Sequence, residues 1–124
     1  MISILLRCYI ELVVFDVLLW TKNFQRVYNK VRNCPVAPDV NTTITTGKLC
    51  RSMDLACVFY WKKVLCLQRS AATARLLRRY GIPASLIIGA KQMPFRAHAW
   101  VELDGSVVND KAYVRDIYLV LDRC

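Results

Sequence analysis

Residues 66–89 read CLQRSAATARLLRRYGIPASLIIG, and the pattern changes part-way along. From Leu67 to Arg79 the residues are strong helix formers, with basic side chains in the last turn, where they complement the helix dipole. Gly81 is a stop signal. Ile82 to Gly89 is then β-branched and apolar. Its proline stands near the start, where a missing amide donor is tolerated, so the stretch reads as a strand. A helix that ends in a glycine and leads straight into a strand sets the order of the fold.

Downstream, residues 97–102 and 106–110 read as two further strands around Asp104-Gly105, and Tyr113 to Leu121 as a last one. Upstream, Ser52 is placed to cap a helix over 53–64, whose buried face is Met53, Ala56, Cys57, Tyr60 and Val64. Helices come first and antiparallel strands follow, which is an α+β arrangement. The opening segment, ISILLRCYIELVVFDVLLW (2–20), extends as a helix to about Val31. Asn33-Cys34-Pro35-Val36-Ala37-Pro38 then breaks it. Residues 33–48 read as a linker, giving an N-terminal helical part over 1–48 and a core over 49–124. Arg7 and Glu11 are spaced to pair on the helix surface and form a polar stripe with Ser3. Arg7, Glu11 and Asp16 interrupt the apolar run, which argues against both a signal peptide and a membrane span. A packed helix, on the core or on a partner, is the expectation.

The chain has 124 residues, 56% of them hydrophobic, with 18 Lys and Arg against 9 Asp and Glu, a net charge of +9. That composition supports one compact domain and favours an acidic partner. Lys62, Lys63, Arg75, Arg78 and Arg79 read as a solvated basic face, with a docking patch for an acidic leader or partner surface as the alternative. The sequence lacks the aromatic–basic interleaving or any motif of a nucleic-acid binder. Six cysteines with one histidine and no Cys-x-x-Cys pair give no metal site, and no cofactor is expected. Reduced cysteines in a cytoplasmic protein are the expectation.

Cys66 differs from the other five in standing where a helix begins. Unpaired amides and the positive end of the dipole there stabilise a thiolate and could later hold an oxyanion. His98, the sole histidine, is the available base. Asp110 can orient it through the sheet. A two-residue Asp104-Gly105 turn would pair His98 with Lys111 and send Asp110 to the other face. A three-residue turn over 103–105 would pair His98 with Asp110 directly. Both turns suit the sequence; only the second assembles a triad, so a catalytic Asp110 calls for the three-residue turn.

The segments Cys66–Ser70, Leu76–Ala84, Ile88-Gly89 and Phe95–Glu102, in that order and spacing, resemble the leader peptidases of lasso peptide biosynthesis. This resemblance implies a transglutaminase-like fold related to papain-like cysteine peptidases, with Cys66, His98 and Asp110 as its catalytic cysteine, histidine and aspartate. It implies cleavage of the leader from a ribosomally made precursor, before a separate cyclase closes the macrolactam. The implied partners are the precursor, a small leader-recognition protein and the cyclase. Trp100, Glu102 and Arg69 are candidate substrate-binding residues, with structural roles as the alternative. A transglutaminase-like acyl transferase or amidase is the competing reading, and a non-enzymatic basic binding module the third.

Overall fold

The structure, a computed structural model, describes residues 2–37, 46–92, 96–111 and 113–124, so residues 38–45 of the expected linker lie outside the description. Four helices precede the sheet: α1 (Ile2–Trp20), α2 (Phe24–Arg32), α3 (Thr46–Val58) and α4 (Cys66–Arg79). The strands are β1 (Ser85–Lys91), β2 (Arg96–Leu103), β3 (Ser106–Val107) and β4 (Leu119–Arg123), with a short α5 (Val114–Ile117) before the last. The sheet is antiparallel in the order β3-β2-β1-β4. The protein is α+β, as its sequence predicts.

The element boundaries differ from expectation in identifiable ways. The opening helix is two helices, because Lys22 takes a left-handed conformation (φ 60°) that ends α1 after Trp20. α3 begins six residues before Ser52, whose hydroxyl bonds to the Lys48 carbonyl one turn back instead of capping. The expected strand over 106–110 stops at Val107, and Tyr113 to Ile117 turn through α5 before β4. At the end of α4, Gly81 (φ 84°) closes a Schellman motif. The Ile82 amide bonds to the Leu77 carbonyl, and the Gly81 amide to that of Arg78.

α4 is the central helix. Its alanines at 71, 72 and 74 are fully buried, and such small side chains let it lie close to both α1 and β2. α1 presents Ile4, Cys8, Leu12 and Phe15 to the same core, at helical spacing. Glu11, expected on the surface beside Arg7, is buried. It pairs with Arg75 and Arg79 of α4 at 3.2 Å each, while Arg7 lies over the Tyr80 ring. Partners in another helix satisfied the carboxylate, and the i,i+4 pair was not needed. Arg78, also expected in solvent, donates to the carbonyls of Val31, Cys34, Ala84 and Cys124, and so joins α2, α4 and the sheet. No helix among the described residues is long and apolar enough to cross a membrane.

Candidate active site

Cys66 is the first residue of α4, following an extended Leu65 that makes no side-chain cap. The first amides of the helix are therefore not taken by a capping side chain. Cys66 is half-buried and borders two cavities. One, of about 210 Å³, is shared with His98 and walled by Phe24, Tyr28, Leu67 and Ile88. Ala97 and Ala99, the small residues flanking His98, complete it. The other is bordered by Asp54, Cys57, Lys63 and Arg69. All six cysteines are free thiols. Burial pushes the Cys8 thiol up to about 12, with smaller upward contributions from Cys57 and Glu11. It pushes those of Cys50 and Cys57 up to about 11, which suits them as packing residues.

His98 Nε2 and Asp110 Oδ2 are 2.6 Å apart, both side chains being mostly buried. Burial acts to raise the Asp110 carboxyl. The His98 hydrogen bond, the Lys111 amide and the charges of His98 and Arg69 outweigh it and hold the group below its ordinary 3.8. With Nε2 engaged, Nδ1 is the ring nitrogen left for another proton partner.

The route to this contact is not the one the sequence suggested. Leu103 pairs with Ser106 and Glu102 with Val107, so the turn is the two-residue form, with Asp104 (φ 52°) and Gly105 (φ 79°) both left-handed. The three-residue turn is therefore not formed. Asp110 reaches His98 because the ladder ends early. The Val108 amide still bonds to the Val101 carbonyl, but the Val101 amide bonds to Asn109 Oδ1 at 2.7 Å in place of a backbone carbonyl. Pairing has ended before 110, so strand alternation no longer dictates which way Asp110 points.

Asn109 also ties the site together. Its Nδ2 donates to Ser70 Oγ at 3.0 Å, Ser70 Oγ donates to the Ala99 carbonyl at 2.9 Å, and Arg69 donates to the Asn109 carbonyl. The first turn of α4 is thereby bonded to the strand residue next to His98 and to the peptide before Asp110. Asn109 has no role predictable from hydrophobic pattern or strand alternation. Its position beside Asp110 in a chain leaving a strand was the available signal.

The His98 ring stacks on Tyr118 (centroids 5.2 Å apart, planes at 24°) and on Trp100 (6.1 Å, 28°). Trp100 is fully buried, and its indole N–H donates to Glu102 at 2.8 Å. Glu102, also buried, is held by Arg123 and Arg115. Arg115 in turn donates to the Gly105 carbonyl in the turn. These residues form a platform behind the histidine and border neither thiol cavity; of the three substrate-binding candidates, only Arg69 does. Gly89, opposite His98 in β1, makes the platform possible. A Cβ there would lie 2.7 Å from the Trp100 ring and 2.8 Å from Tyr118 Cβ. Among the described residues no group of three or more metal-binding side chains gathers.

The half-buried thiol at a helix start and the neighbouring His–Asp pair are parts from which acyl transfer through a thioester can be built. A curated relative, the microcin J25-processing protein McjB of Escherichia coli, is 45% identical over 51 residues, 41% of this chain. That segment covers 24% of the relative's own length. No solved structure matches the chain significantly. A family description, transglutaminase-like superfamily, matches residues 10–122, running from α1 through the thiol and the histidine to β4. The chain belongs to the transglutaminase-like superfamily.

Proposed function

We propose that the protein is a cysteine peptidase that removes the leader from a ribosomally made lasso peptide precursor, with Cys66 as nucleophile, His98 as acid and base, and Asp110 as the group that orients His98. The observation carrying this reading is the cavity shared by Cys66 and His98, with Nε2 of the histidine held by Asp110. The likeness to a protein that processes microcin J25 points to a peptide substrate.

In this mechanism the Cys66 sulfur attacks the scissile carbonyl while its proton passes to His98 Nδ1. The tetrahedral oxyanion meets backbone amides at the start of α4. Collapse breaks the C–N bond, His98 returns the proton to the leaving amine, and the leader remains as a thioester on Cys66. Water, deprotonated by His98, then hydrolyses the thioester and regenerates the thiol. The precursor, a small leader-recognition protein and the macrolactam cyclase are the proposed partners, and the reducing cytoplasm suits six free thiols.

A second reading, transfer of the acyl group to an amine, uses the same thioester and draws on the superfamily membership. Incubating the protein with a leader–core peptide and the recognition protein, then weighing the products, separates the two. Hydrolysis gives free leader acid and free core amine. An amine adduct without leader acid would overturn the peptidase reading.

A further inference from the structure

The basic residues expected to form one solvated face have separated. Arg78 is occupied by backbone carbonyls, and Lys62 pairs with Asp16 at 2.7 Å. Arg75 and Arg79 hold Glu11 and also border a groove of about 880 Å³ between the end of α1, α2 and α4. α2 adds Arg26 and Lys30, so each helix brings two cations at i,i+4 spacing to one groove. Like charges so placed repel one another. Glu11 offsets the pair on α4 from behind, and its side chain is only 5% exposed. Arg26 and Lys30 are exposed and make no ion pair among the described residues, and no carboxylate among those residues borders the groove.

We propose that this groove docks an acidic peptide segment. Charge complementarity sets the sign of the occupant. Its class follows from the other walls. Leu18, Pro35 and Ala37 offer apolar surface for aliphatic side chains, and the Asn29 and Asn33 amides offer donors and acceptors to a peptide backbone. No aromatic residue among the described lining provides a face on which bases could stack, as a single-stranded nucleic acid requires. The groove lies on the opposite side of α2 from Phe24 and Tyr28, which wall the thiol cavity. A docked segment is therefore held about one helix diameter, roughly 10–12 Å, from that cavity. The docking does not depend on whether Cys66 performs hydrolysis, so the two are tested separately.

Fluorescence anisotropy of the full chain with a labelled Glu/Ala/Leu peptide reads the docking directly. The expected result is saturable binding that weakens with added salt. Binding should fall about tenfold or more in Arg26→Glu/Lys30→Glu, and stay unchanged in the equally charged control Arg51→Glu/Arg96→Glu. The reversed variant should bind a Lys/Ala/Leu peptide better than the wild type does. The neutral pair Arg26→Gln/Lys30→Gln, expected to weaken binding by less, reports the same dependence should the reversed pair fold poorly. Absence of binding, or affinity indifferent to both groove variants, would overturn the proposal. So would equal affinity for an oligothymidine of matched charge.

Discussion

Two buried carboxylates set against cations show opposite designs in one small molecule. Glu11 lies in the helical layer between two arginines, which stay charged at any ordinary pH. Asp110 lies at the sheet edge against a histidine, a side chain that can take up a proton and give it back. The first arrangement can only hold α1 to α4. The second can hold a ring in place and also follow a proton through a reaction cycle. The difference lies in whether the partner can exchange a proton, and Glu11 is also the more deeply buried of the two.

The comparison breaks most visibly if Asp110 is neutralised. Asp110→Asn should lower kcat by up to about 10⁴-fold, as loss of a histidine-orienting carboxylate does elsewhere, with a melting temperature only slightly below wild type at neutral pH. Measuring cleavage rate beside thermal unfolding checks both halves. Glu11→Ala should do the reverse. It leaves a largely buried Arg75 without its carboxylate and should cost about 3–5 kcal/mol in urea unfolding, with the chemical step intact in the molecules still folded.

Gly89→Ala lies between these extremes. The new methyl would meet Trp100 and Tyr118 within 3 Å, so a loss of about 1–3 kcal/mol is expected. Activity should fall further than folding does, because the His98 platform shifts. Ser70→Ala should cost about 1–2 kcal/mol by leaving the Ala99 carbonyl and Asn109 amide unpaired. It should lower kcat more than it raises KM, because it loosens the strand of His98 from the helix of Cys66.

The smallest effect is on acid stability. Asp110 is held below its ordinary 3.8, so its contribution is complete above that pH and disappears as pH falls through its folded value. The stability gap between wild type and Asp110→Asn should therefore narrow from about pH 4 downward. Paired urea titrations along a pH series would show it.

Local pattern carried much of this architecture. The helix from Cys66 to Arg79, its glycine stop and the strand around His98 are written in propensity and spacing. Those elements place the thiol and the histidine on one cavity. What stayed hidden depended on partners distant in the chain. No local pattern says that Glu11 will be buried, because Arg75 and Arg79 come 64 and more residues later. The turn at Asp104-Gly105 was legible as two options, and the demand for a triad favoured the three-residue form, which the chain does not adopt. Sequence could not reveal that Asn109 would take the place of a ladder carbonyl, which lets the two-residue turn coexist with the His98–Asp110 contact. The platform roles of Tyr118 and Gly89 are not written in local sequence, because they rest on mutual packing across β1, a property of the assembled sheet.

The proposed function requires Cys66 and His98 to act as one nucleophilic unit. It is tested most directly by treating the protein with a peptidyl chloromethyl ketone and mapping the adduct by mass spectrometry. A single adduct is expected, on Cys66, formed fast in the wild type and much more slowly in His98→Ala. Labelling of Cys34 in preference to Cys66, or a Cys66 rate indifferent to His98, would contradict it.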